Sequence, residues 1–153
     1  MHSYTVTTTW TGNQGAGTSN YRAYSRDHTL SADGRPDIAA TSDPSFRGDP
    51  TRWNPEQLLV GALSDCHMLW YLHLCATSGV VVESYVDEAV GFMAMEQNGA
   101  GQFTEVILRP RVVVSTPDAV EKAQELHAKA HEMCFIARSM NFPVKHEPLV
   151  TVA

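Results

Sequence analysis

Between Asn54 and Gly79 the chain carries its one long apolar run, and that run limits the folds open to it. Asn54 is a good N-cap, Pro55 suits the first helical position, and Gln57 stands where a capping box needs its second partner. Gly79 supplies the stop. About 24 residues at about 1.5 Å each predict a helix about 36 Å long. It is apolar on most faces, as a helix enclosed by its surroundings is. A chain of 153 residues has difficulty enclosing such a helix alone, which points to a dimer. The stretch from Leu58 to Ala76 is interrupted by Ser64, Asp65, His67 and His73. A membrane span of about 20 residues seldom carries that polar load, so the expectation is a buried helix of a soluble protein with no membrane partner.

The segments around this helix alternate in the manner of strands. Tyr4 to Trp10 reads as one strand, a Gly-rich turn TGNQGAGTSN follows, and Tyr21 to Leu30 is a second candidate. Residues 33 to 53, rich in Asp, Pro, Gly and Arg, read as a long ordered loop. Val80 to Met95 and Phe103 to Ser115 form a predicted hairpin across the loop Gln97 to Gly101. A second helix is expected from a Ser115 or Thr116 cap and Pro117 to about His131, and Val144 to Val152 makes a last strand. The order is strands, helix, hairpin, helix, strand. It predicts an α+β fold rather than the alternation of a parallel sheet, in a single domain over 1–153.

Charge and cysteine usage narrow the function. The net charge is −6, and no Lys or Arg has another beside it. Without a basic footprint to displace counterions, no nucleic-acid partner is expected. The start MHSYTVTTTW has no basic region followed by an apolar run, so a secretory signal is not expected. Three cysteines, an odd number, argue for the cytoplasm and against a disulfide scaffold.

Each cysteine has an ordinary reading beside the reactive one. Cys66 in mid-helix is either a small buried hydrophobe or a nucleophile. Cys75 lies nine positions on, half a turn round the helix, and reads as core. Cys134 follows His131 by three residues, a spacing that leaves open a metal site completed by Cys66, His73 and His146. Against that site, no CxxC pair exists and no HExxH motif occurs. A hydrolase with Cys66 as nucleophile and His131 as base is also formally available, but its local signatures are absent.

Two stretches then resemble a known family. Trp53 to Cys66, WNPEQLLVGALSDC, is similar to the Asn-Pro-Glu helix start and buried cysteine of the OsmC/Ohr family. His127 to Ser139, HAKAHEMCFIARS, resembles its second cysteine motif, about 68 residues away. The order of elements agrees from about Thr5 to Val152. The resemblance implies an OsmC-like fold: an intertwined homodimer whose two long central helices are wrapped by antiparallel sheets. It also implies a thiol peroxidase acting on organic hydroperoxides in oxidative-stress defence, with no cofactor and no metal. Cys66 would be the peroxidatic cysteine and Cys134 the resolving one. Glu56 would be the acid that holds a catalytic arginine, and Arg26 aligns best with that arginine, Arg22, Arg35 and Arg47 being close alternatives. The external reductant would be a lipoylated or thioredoxin-like dithiol.

Elementary chemistry supports the same set. A free thiol with pKa about 8.5 is only slightly ionised at neutral pH, and a guanidinium stabilises the thiolate that attacks peroxide. A sulfenic acid condenses with a nearby thiol, which protects it from over-oxidation. The apolar residues Leu63, Leu69, Trp70 and Phe135 suit an organic peroxide better than hydrogen peroxide. Two departures point to the broader OsmC-like branch. Asp65 stands where a small residue is usual, and Phe-Ile-Ala-Arg-Ser follows Cys134 in place of Pro-Tyr-Ser. The rival from another class is a redox-sensing or small-ligand-binding protein on the same fold.

Overall fold

The computed structural model describes all 153 residues. The chain forms two compact units, residues 1–58 and 59–153, and the boundary falls inside the first long helix.

The first unit is a small antiparallel sheet, β1 (Thr7–Trp10), β2 (His28–Ser31) and β3 (Ile38–Ala40), in sequence order. Thr8 pairs with Leu30, and Leu30 with Ile38. The stretch expected as one loop, 33 to 53, therefore contains a strand, and also a 3-10 turn at Pro44–Phe46 capped by the Asp43 carboxylate. Asp43 and Asp49 hold this region by bonding their own neighbours, Ser45 and Thr51. Gly48 is required there, because a Cβ would fall 1.6 Å from the carbonyl oxygen of Ser42.

Helix α1 (Pro55–Thr77) starts as its sequence dictates. The Gln57 amide donates to Asn54 Oδ1 at 2.9 Å, and the Asn54 amide donates back to Gln57 Oε1 at 3.1 Å, so the capping box closes in both directions. It ends with Gly79 at φ 72° and the Val80 amide bonded to the Cys75 carbonyl, a Schellman closure.

In the second unit the hairpin predicted after α1 is present, but each long strand is broken. β4 (Val82–Asp87) and β5 (Val90–Met95) return as β6 (Gly101–Leu108) and β7 (Pro110–Val114). The breaks diverge the halves into two sheets, with orders β4-β7-β9 and β5-β6-β8. The expected last strand is likewise two, β8 (Val144–His146) and β9 (Leu149–Val152). Both run parallel to their partners, so the sheets are mixed rather than wholly antiparallel. The reason is the connection: the chain leaves β7, crosses through α2 (Val120–Met133), and re-enters beside β6 and β7 in the same direction. Helix α2 begins one turn later than expected, behind a 3-10 turn at Pro117–Ala119.

Two apolar clusters carry the unit. Tyr71, Cys75, Val112, Val114, Ala123, Leu126 and Ala130 join α1, α2 and β7. Leu63, Val106, Leu108 and Val144 form the other. Burying a leucine such as Leu63 fully contributes about 1.5–3 kcal/mol. Within the chain α1 is enclosed on one stripe only, Leu63, His67, Tyr71 and Cys75. Of its most apolar 18-residue window, 22% is buried, and by length and composition this helix is able to cross a membrane.

Candidate active site

The seam between α1 and α2 is built from residues one helical turn apart. On α2, Ala123, His127, Ala130 and Cys134 fall on one face, and Ala123, His127, Ala130 and Cys134 are all buried. They meet the buried stripe of α1. Tyr71 donates its hydroxyl to the Ala123 carbonyl at 2.9 Å and stacks on His127 at 3.9 Å. His67 meets His127, and at the end of the seam Cys66 meets Cys134. α2 stops at this point because Cys134, its C-cap, is extended, and Phe135 leads into a short turn.

The two cysteines are free thiols and differ in surroundings. Cys66 is half-buried, whereas Cys134 is 1% exposed. Burial pushes the Cys134 thiol up to about 11, and the neighbouring Cys66 thiol adds to the rise. The Ala137 amide, donating to Cys134 Sγ at 3.4 Å, and the Ile136 amide pull the other way. Cys75, deep in the first cluster, is also raised by burial and has Tyr71 as its polar neighbour. The pair is therefore one accessible thiol beside one enclosed thiol.

Beyond the thiols, the face of α1 that carries Cys66 continues through Leu69, Trp70 and His73, which line an open recess of about 210 Å³. Trp70 packs edge-on against Phe135, the residue after Cys134, at 5.5 Å between ring centres. Leu69 is 62% exposed and Phe135 66%. Ser64, one turn before the recess, is tied to the Asp87 carboxylate, which also accepts the Arg109 amide at 2.6 Å. That clamp anchors this part of α1 to the end of β4.

The remaining site candidates belong to the first unit. Glu56 lies in the first turn of α1, and its Oε2 is buried with no hydrogen-bond partner. Arg26 donates to the Tyr24 and Tyr21 carbonyls at 2.6 and 2.7 Å, and its guanidinium lies 4.0 and 4.3 Å over the same two rings. Arg35 donates to the Asp33 carbonyl, and Arg22 and Arg47 are exposed. Arg52, which the sequence did not single out, ties β2 to β3 through the His28 and Ala40 carbonyls. For the metal alternative, no three His, Cys, Asp or Glu side chains converge into a set able to hold an ion.

Residues 48–148 match the family described as OsmC-like protein. The chain belongs to the OsmC-like protein family. An OsmC-like protein of unknown function from Vibrio cholerae is 35% identical in sequence, with a TM-score of 0.87 over 97% of this chain and 100% of that one. An organic hydroperoxide resistance protein from Elizabethkingia anophelis shares the fold at 21% identity and a TM-score of 0.66, covering 99% of this chain and 97% of that one. The organic hydroperoxide resistance protein OhrB of Bacillus subtilis does so at 22% and 0.62, covering 95% and 98%. The uncharacterized protein YmaD of Bacillus subtilis is 29% identical over 90 residues, 57% of this chain and 59% of YmaD. The α+β architecture expected from the order of elements is thus the OsmC-like fold.

The His67–His127 contact was not anticipated from sequence. Histidines at 67, 127, 131 and 146 give no periodic signal across three separate elements.

Proposed function

We propose that this OsmC-like protein is a cytoplasmic thiol peroxidase that reduces organic hydroperoxides in oxidative-stress defence. The Cys66 thiolate attacks the peroxide, leaving a sulfenic acid on Cys66 and releasing the alcohol. The Cys134 thiol then condenses with it, forming the Cys66–Cys134 disulfide and releasing water. An external dithiol, lipoylated or thioredoxin-like, reduces the disulfide and is itself oxidised. The observation that carries this reading is that half-buried Cys66 neighbours enclosed Cys134, closely enough to raise its thiol. The more open thiol is the one a peroxide reaches first, and the enclosed one is kept from direct oxidation.

Three further features support it. The apolar recess of Leu69, Trp70 and His73, with Phe135 beside Trp70, suits an alkyl group. The orphaned Oε2 of Glu56 calls for a cation, which Arg26 or one of Arg22, Arg35 and Arg47 would supply. The open faces of α1 fit a homodimer in which a second copy covers them. The family's organic hydroperoxide resistance proteins carry the activity in their names.

The test is peroxide consumption with a dithiol reductant by wild type, Cys66→Ser, Cys134→Ser and Cys75→Ser. Cys66→Ser falls to the uncatalysed background, Cys134→Ser turns over and then dies by over-oxidation, and Cys75→Ser keeps wild-type turnover. A wild type that is oxidised once and consumes no further peroxide sinks the enzyme reading and favours a redox sensor on this fold.

A further inference from the structure

The α1–α2 seam also holds a cluster of titratable rings that the thiol chemistry does not use. His67 and His127 are each 1% exposed, and His67 Nε2 lies 3.0 Å from His127 Nδ1. The His146 ring, on β8, is 5.8 Å from His67, and His131 is 5.5 Å from His146. Four imidazoles from three elements thus touch in one group, from the fully buried pair outward to two half-buried rings. His127 Nε2 is buried without a partner.

A nitrogen–nitrogen contact of this length is a hydrogen bond only if one atom carries a proton and the other does not. Neutral rings satisfy it, and a pair with one extra proton keeps the bond but carries a buried charge. With both rings protonated, two N–H groups and two positive charges face each other in an enclosed seam. The surroundings offer nothing to compensate. Against the pair stand Tyr71 on α1, His131 on α2 and His146 on β8, and beyond Tyr71 lies Tyr85 on β4, whose hydroxyl is buried and unpaired. The carboxylates of these and the adjoining elements are engaged elsewhere or exposed. Asp87 holds Ser64 and the Arg109 amide, Glu105 pairs with Lys145, Glu147 with Arg109, Glu132 with Lys129, and Asp65 is exposed.

We propose that the His67–His127 pair is an acid-labile pin that sets the register of α1 against α2 and so keeps Cys134 beside Cys66, with His146 and His131 adding repulsion once the cluster is charged. The pin lies in the same seam as the thiol pair, His67 adjoining Cys66 and His127 two turns before Cys134. An apolar pair would join the two helices at any pH, whereas imidazoles make the joint conditional on protonation. The inference concerns the packing of the thiols and stands whether or not they turn over peroxide.

The direction follows from the surroundings. Burial first, then the charges of His146 and His131, holds His67 down to about 4. Burial, then His67 and His146, holds His127 down to about 3. His146 is lowered too, by burial and then by His131. An opened seam takes up protons from about pH 6.5, so the pin is fully effective above that value. It weakens as pH falls toward about 4, opening rising by up to about tenfold per pH unit for each proton taken up.

Amide hydrogen exchange on the full-length reduced protein between pH 7.5 and 4.5, corrected for the intrinsic pH dependence of exchange, tests this. In wild type, opening of residues 127–134 rises about tenfold or more per pH unit below about pH 6, while the β1–β2 strands do not follow. In His67→Gln, which keeps a hydrogen-bonding partner for His127 but no titrating ring, the slope falls by about one proton. His146→Gln, at a half-buried position, removes one titrating ring and its repulsion, so the slope falls there too, and it decides the matter if His67→Gln does not fold. A wild-type segment 127–134 as flat as β1–β2 down to pH 4.5 overturns the proposal. So does a pH dependence unchanged in every variant that folds.

Discussion

Leu63 and Leu69 are six residues apart on α1 and live in opposite surroundings. Leu63 is 0% exposed, packed with Val106, Leu108 and Val144, and Leu69 is 62% exposed beside Trp70 and His73. Composition does not separate the two sides, because both are apolar. What separates them is supply: α2 and the sheets of the second unit cover one stripe of the helix, and nothing in that unit covers the other. The enclosed side also takes in polar groups, His67 and the Tyr71 hydroxyl, each with a hydrogen-bond partner. Apolar character alone therefore does not mark the inside of this protein. Cys66 lies where the two sides meet, a half-buried neighbour of enclosed Cys134.

Substitutions that treat the two sides alike sharpen this contrast. The largest effect is expected for Leu63→Ala, a loss of about 2–5 kcal/mol in urea unfolding, because the deletion leaves a cavity between α1 and β6. A loss under about 0.5 kcal/mol would mean the enclosed stripe is not core. Next comes Leu69→Asp, which on the dimer reading buries an uncompensated charge and weakens self-association at least about tenfold by sedimentation equilibrium. An unchanged assembly state would break the link between the open side and a second copy. Tyr71→Phe removes one buried hydrogen bond, to the Ala123 carbonyl, and is expected to cost about 1 kcal/mol.

Much of this was legible before any coordinates. Asn54, Gln57 and Gly79 act through bonds only a few residues long, so their spacing is enough to predict the start and stop of α1. The hairpin turn at 96–100 is equally local. The legible part of the site came through two motifs around Cys66 and Cys134 rather than through periodicity. What escaped was non-local. The strands were expected as continuous, yet they break around Glu88–Ala89, at Arg109 and at Glu147–Pro148, where the chain passes from one three-stranded sheet to the other. Strand β3, three residues long inside a polar stretch, carries no alternation to read.

By itself, then, the amino-acid sequence determined the element types, the caps of α1, the family, and the two cysteines worth testing. Those depend on residue identity, on short-range bonds and on motif spacing. The tertiary structure decided which stripe of α1 is enclosed, the parallel direction of β8 and β9, and the meeting of Cys66 with Cys134. It also brought His67 and His127, 60 residues apart, to within one hydrogen bond. These depend on which surfaces meet after the chain closes on itself, and an apolar residue or a histidine carries no label saying which neighbour it will have.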